Sequence, residues 1–141
     1  MAANTAPIFP ITPVAQGLSV VSASALTSRA AITGTTGLSL CFTAGSNGSR
    51  IDTIILQATG TTLAGLIDLW IFDGTTSRLI YETAVTVVTP NTTTTVGFNA
   101  NISTTTFCGG VPLTIPSGYA LYCSSQVASQ LIGVTTVGGH Y

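Results

Sequence analysis

Lysine is absent from this chain of 141 residues, and seven residues carry fixed charge: Arg29, Arg50 and Arg78 against Asp52, Asp68, Asp73 and Glu82. An ordinary globular domain is roughly 25 % charged, whereas this one is 5 % charged with a formal net charge of -1. Three separated arginines make no basic patch, so neither a phosphate backbone nor an anionic lipid surface has a field to respond to. Nucleic acid and membrane are therefore not expected partners. Long apolar runs are lacking too: the most apolar stretch, residues 63–72, is interrupted by Asp68 and falls far short of the ~20 residues that span a bilayer. The first residues, MAANTAPIFPITP, have no basic n-region and three prolines break any apolar h-region, so no secretory signal peptide is read there.

The residues that chemistry needs are equally sparse. Nucleophilic catalysis by serine or cysteine requires a base within reach, and the one histidine, His140, is next to the last residue. Cys41, Cys108 and Cys123 contain no Cys-x-x-Cys spacing, which argues against a zinc site. Asp73 stands alone in its turn, which argues against a calcium loop. An odd set of three cysteines permits at most one bridge. Cys41 and Cys123 sit in apolar runs and read as reduced core side chains, while Cys108, before Gly109 and Gly110, reads as exposed. Neither Gly109-Gly110 nor Gly138-Gly139 precedes a Lys-Ser/Thr pair, so neither is a phosphate loop. Three tripeptides starting at Asn47, Asn91 and Asn101 match the N-glycosylation acceptor, a match that chance supplies in so Thr- and Asn-rich a chain. No enzyme, cofactor or metal site is expected.

What the chain has is threonine, serine, asparagine and glycine between short apolar runs. Clusters such as Thr92–Thr95 and Thr104–Thr106 oppose helix, because a β-branched χ1 is restricted there and fits a pleated sheet. Runs of five to ten such residues closed by Gly, Asn, Asp or Pro have the spacing of an all-β sandwich or barrel. Eight antiparallel strands are expected, over 18–23, 38–43, 50–58, 66–72, 78–88, 94–102, 119–124 and 131–137. Gly45-Ser46-Asn47-Gly48 has the residues of a hairpin turn.

Asp73-Gly74-Thr75-Thr76-Ser77 joins the two most apolar strands, and charge suggests their register. Pairing Asp73 with Arg78 sets Phe72 against Leu79 and Trp70 against Tyr81, all favourable. A one-residue slip would put Asp68 directly opposite Glu82, so the Asp73–Arg78 register is expected. In it, one face carries Leu66, Trp70, Phe72, Leu79, Tyr81 and Val85. The other carries Ile67, Leu69, Ile71, Ile80 and Ala84, with Glu82 among them. Asp68 and Glu82 then point to opposite faces and cannot serve as the paired carboxylates of a glycosidase. With both faces apolar the hairpin needs two covers, the opposing sheet and either another subunit or an arm or loop of the same chain.

Residues 1–16 form a separate segment. Pro7, Pro10 and Pro13 recur at the three-residue period of polyproline II, with Ile8, Ile11 and Val14 on a second ridge. This is a stiff arm with an apolar edge, Phe9 included, expected to dock on a neighbouring subunit or along its own domain; residues 17–141 form the single sandwich domain.

The segments TAGSNGSRID, DGTTSRLIYE, LTIPSGYALYCSS and the terminal GGHY resemble a group of small virion proteins of tailed bacteriophages, capsid decoration or cement proteins. The correspondence runs through Gly45–Asp52, Asp73-Gly74, Arg78–Glu82, Pro116–Leu121 and Gly138-Gly139-Tyr141, and His140 departs from it where an acid is expected. The resemblance implies a jelly-roll sandwich, a homotrimer, and a seat on the capsid surface that clamps adjacent copies of the major capsid protein after assembly in the host cytoplasm. Interface contacts would then come from Pro7, Ile8, Phe9, Pro10, Ile11, Pro13, Val14 and Tyr141. The competing expectation is a glycan- or receptor-binding module of a phage tail or surface appendage, with Trp70, Tyr119, Tyr122 or Tyr141 stacking on sugar rings.

Overall fold

The computed structural model describes residues 12–20 and 24–141. Ten strands are present among them: β1 (Thr12–Val20), β2 (Ile32–Thr33), β3 (Ser39–Thr43), β4 (Ser49–Ala58), β5 (Gly65–Phe72), β6 (Thr76–Val85), β7 (Asn99–Ser103), β8 (Leu113–Ile115), β9 (Ala120–Ser125) and β10 (Ile132–His140), with one 3-10 turn at Thr104–Thr106. One sheet has the order β1-β10-β4-β7 with β8 also on β4, the other β2-β6-β5-β9-β3. Every pairing between these strands is antiparallel. The fold is thus an all-β sandwich, as the spacing of the apolar runs predicts. No helix among the described residues is long and apolar enough to cross a membrane.

The core lies between the sheets. Ile51, Ile54, Leu56, Ile132 and Val134 come from the first sheet and Phe42, Ile67, Leu69, Leu121 and Cys123 from the second, all fully buried. Three of the bulges tune which side chains reach it. On β4, Asp52 is skipped in the pairing with β10, where Val137 faces Thr53 and Gly138 faces Ile51. That extra residue lets Ile51 and Ile54, three apart, both face inward. On β3, Cys41 is the extra residue between Leu40 and Phe42, and both Cys41 and Phe42 enter the core. The third bulge is in the β5–β6 hairpin.

That hairpin departs from the expected register. Asp68 pairs with Glu82 and Leu69 with Tyr81; Ile80 is then skipped, so Trp70 pairs with Leu79, Ile71 with Arg78 and Phe72 with Ser77. The turn is tighter than charge pairing assumes. Asp73 N–H bonds the Thr76 carbonyl at 3.1 Å, while Asp73 Oδ1 accepts the N–H groups of Thr75 and Thr76 at 3.0 and 2.7 Å, an Asx-type turn. Arg78 still ion-pairs with Asp73 through its side chain, so that attraction is satisfied without setting the backbone register. Tyr81 and Val85, expected beside Trp70, pack with Ile67 and Leu69 on the core side instead.

Other differences have local causes. The strand expected over 94–102 starts only at Asn99, because the Asn91 carboxamide oxygen takes the N–H groups of Thr93, Thr94 and Thr95 at 3.0, 2.7 and 2.9 Å. A side chain has replaced the sheet partner there. The Gly45–Gly48 turn forms, with Gly48 N–H on the Gly45 carbonyl at 3.0 Å and Gly48 at φ 89°. It is no hairpin, however, since β3 and β4 belong to different sheets. The first strand begins at Thr12, ahead of the expected Leu18, so the last five residues of the arm are part of a sheet. Strands β2 and β8, of two and three residues, had no apolar run to announce them.

Candidate functional site

The expected interface residues divide between two places. Pro7, Ile8, Phe9, Pro10 and Ile11 lie outside the described residues. Pro13 and Val14 are on β1 opposite Gly139 and Gly138 of the same chain, with Pro13 exposed and Val14 packed against the core. Tyr141 is half-buried and, with Asn47, Gly48, Thr114, Ile115 and Pro116, lines an open, mainly apolar groove of about 430 Å³. Two bonds hold it: Tyr141 N–H to the Gly48 carbonyl at 3.2 Å and Asn47 Nδ2 to the Tyr141 carbonyl at 3.4 Å.

Beside that groove the fold joins a serine to the one histidine, a pairing the terminal position of His140 argued against. Ser49 Oγ lies 2.6 Å from His140 Nδ1 and accepts the Gly45 N–H at 2.9 Å. The imidazole also packs on Phe42 with ring centroids 5.5 Å apart. Ser49 has no accessible surface, so no substrate carbonyl can reach its oxygen. This pair ties the end of β10 to β4.

The surroundings of two of the three thiols disfavour the thiolate. All three cysteines are free. The Cys41 thiol is pushed well above its usual range by its hydrogen bond with Cys123 and by burial, and burial likewise raises that of Cys108, which is half-buried where exposure was expected. Low thiolate content means low reactivity. Among the described residues no group of three or more His, Cys, Asp or Glu could hold a metal ion.

The acids, in contrast, converge where divergence was expected. Asp68 is fully buried and directly opposite Glu82. Gln126 Nε2 donates to Asp68 Oδ1 and Oδ2 at 3.1 and 3.2 Å and to Glu82 Oε1 at 2.9 Å. Arg29 Nε sits 2.6 Å from the same Glu82 oxygen. These neutral and cationic donors relieve the like-charge cost that made this register look unfavourable. Burial, outweighing the Gln126 bond, pushes the Asp68 carboxyl up to about 6.

Arg29 belongs to a strap tied to two strands of the hairpin's sheet. Leu26 N–H bonds the Ser125 carbonyl of β9 at 2.8 Å, and three residues later Arg29 reaches Glu82 of β6. Since β5 lies between β9 and β6, the segment crosses the outer face of the sheet. A segment of the same chain is therefore tied to part of that face. Trp70, on that face, is fully buried and donates its indole N–H to Ser124 Oγ at 2.9 Å.

A feature that sequence reasoning missed is at the end of the sandwich where three loops meet, residues 59–64, 86–98 and 126–131. None of their residues is ionisable. Large apolar side chains project from all three: Leu63 is 39 %, Val87 62 %, Val96 78 % and Leu131 43 % exposed. Buried polar side chains brace the loops beneath them. Thr62 Oγ1 donates to the Thr86 carbonyl at 2.7 Å and accepts the Val88 N–H at 3.0 Å. Gln130 accepts the Leu63 N–H at 2.8 Å and donates to the Leu63 carbonyl at 2.7 Å. The available signal was the absence of charge across three turn-rich segments; their meeting at one end is set by topology alone.

Comparison with known protein families, curated proteins and solved structures finds no match for this chain.

Proposed function

We propose that this protein is a structural virion component that decorates a phage capsid and stabilises it by clamping adjacent major capsid protein subunits. The observation that carries the reading is the uncharged loop end, where Leu63, Val87, Val96 and Leu131 stand in solvent on cross-braced loops. Large apolar side chains grouped at an exposed site mark interaction surfaces, and a braced platform loses little entropy when it docks. The resemblance of the turn and strand segments to decoration proteins supplies the setting, including a jelly-roll path and a homotrimer. Clamping a shell requires area and shape, and no active site.

The test is co-sedimentation with shells of a phage major capsid protein, alongside sedimentation equilibrium at micromolar concentration. Wild type is expected as an oligomer that pellets with the shells. The double variant Val96→Asp, Leu131→Asp should lose at least tenfold in shell affinity with its melting temperature unchanged. A wild-type monomer without affinity for shells removes the reading.

A glycan-binding module is the second reading, favoured by the groove in which Tyr141 stands beside the Asn47 side chain and Pro116. An aromatic face next to amide groups suits a sugar ring. Glycan-array binding that Tyr141→Ala abolishes would favour it over capsid decoration.

A further inference from the structure

Asn47-Gly48 is the one Asn-Gly pair in the chain. With no Cβ on Gly48, nothing shields its nitrogen from the Asn47 amide carbon, so the pair can react with itself. Packing also requires this glycine, because a Cβ there would lie 3.0 Å from the Ile115 carbonyl oxygen and its φ is 89°. Three hydrogen bonds stand against the reaction, two of them made by Tyr141. Gly48 N–H is held by the Gly45 carbonyl at 3.0 Å, and the Gly48 carbonyl accepts Tyr141 N–H at 3.2 Å. Asn47 Nδ2, the nitrogen that would leave, donates to the Tyr141 carbonyl at 3.4 Å. Asn47 is exposed, so water reaches it.

We propose that Asn47-Gly48 is a self-modifying site held in check by Tyr141, and that its conversion turns Tyr141 out of the groove. Once the bonds to Tyr141 open and Gly48 N–H leaves Gly45, the Gly48 nitrogen attacks Asn47 Cγ. A bond forms between them, the Cγ–Nδ2 bond breaks, and the Gly48 proton departs with the side-chain nitrogen as ammonia. Water then opens the resulting cyclic imide at either carbonyl, leaving aspartate or isoaspartate at position 47. Both products replace an amide donor by a carboxylate, which only accepts, so the bond to the Tyr141 carbonyl is lost. Isoaspartate also lengthens the turn backbone, which breaks the Gly45–Gly48 closure. The described residues lining the groove carry no fixed charge. Conversion therefore places a negative charge in a neutral groove, and the change runs one way.

The experiment incubates the full chain at mildly alkaline pH, with and without guanidinium chloride, and follows Asn47 by peptide mass mapping, where conversion adds about 1 Da. Asn99 and Asn101, exposed and not followed by glycine, serve as references. Wild type is expected to convert at least about tenfold more slowly folded than unfolded, since a bonded site reacts only through its open state. Tyr141→Pro lacks the backbone N–H that Gly48 accepts, and should raise the folded rate at Asn47 by about tenfold without changing the references. Asn47→Asp, standing in for the product, should exchange its Tyr141 amide hydrogen at least about tenfold faster than wild type by NMR. Equal rates in folded and unfolded wild type, no gain in folded Tyr141→Pro, or unchanged Tyr141 exchange in Asn47→Asp overturns the proposal. Where Tyr141→Pro does not fold, the exchange in Asn47→Asp decides.

Discussion

The side chain of Gln130 pairs with the backbone of Leu63 as a neighbouring strand would, accepting its N–H at 2.8 Å and donating to its carbonyl at 2.7 Å. Gln130 is 1 % exposed, so removing its amide deletes two hydrogen bonds that tie the loops together. Gln130→Leu is expected to cost about 1–3 kcal/mol, the net worth of two such bonds. Urea denaturation measures it, and a loss below about 0.5 kcal/mol would show that the loops are not braced this way.

Gly138 faces Ile51 across the β4 bulge, so close that an added Cβ would overlap the Arg50 carbonyl oxygen and lie 2.9 Å from Ile51 Cα. Both obstacles are backbone and cannot rotate aside. Gly138→Ala should therefore destabilise by about 2 kcal/mol or more, in the range of overpacked sites. Gly74, with nothing near its Cβ position, lacks this packing penalty; its φ of 93° makes Gly74→Ala costly through backbone strain alone, of order 1 kcal/mol. Thermal melts of the two variants should rank them in that order.

Stability should rise when the solution is moderately acidified, then fall. Asp68, raised from 3.8 to about 6 by burial, contributes stability that is fully present below 3.8 and lost as pH climbs through 6. That contribution is on the order of 3 kcal/mol by linkage. Asp73 acts the other way: backbone bonds from Thr76, the Arg78 side chain and Thr75 lower it to about 2, so its contribution is present above 3.8 and lost as pH falls through 2. Denaturation midpoints at pH 7, 5 and 2 should peak at 5. Asp68→Asn should flatten the rise between 7 and 5.

Assembly should be insensitive to salt. With charge limited to seven residues and none in the three apolar-tipped loops, little screened attraction is available to lose. Oligomer mass by sedimentation should be the same in 0.05 and 1 M NaCl, although the Debye length falls to about 3 Å at 1 M, because apolar contacts do not depend on it. Dissociation at high salt would show that Arg29, Arg50 or Arg78 carries the contact.

The hydrophobic pattern made most of the strands legible. The runs at Arg50–Ala58 and Leu66–Phe72 appear almost residue for residue as β4 and β5, because apolar content and β-branching there agree with burial. The strand expected over 94–102 is absent in its first half, since threonine favours sheet in general but the Asn91 side chain captures this particular stretch. The groove residue Tyr141 was visible as a candidate. The acid pair was not, because repulsion between two charges disfavours Asp68 opposite Glu82 in the hairpin alone, and Gln126, which bridges them, lies 44 residues beyond Glu82.

By itself the sequence determined that this protein is all β, nearly free of charge and poor in catalytic groups. Those properties follow from composition and from periodicities a few residues long, where each side chain's own preference decides. Tertiary structure alone decided the hairpin register, the strap over the outer face and the gathering of Leu63, Val87, Val96 and Leu131 at one end. Each depends on groups distant in sequence that meet only after the sheets pack, so the cost or gain of the contact is set by the burial and the third partner found there. A carboxylate pair that would be expelled in an isolated hairpin is retained because an amide and a guanidinium arrive from elsewhere in the chain.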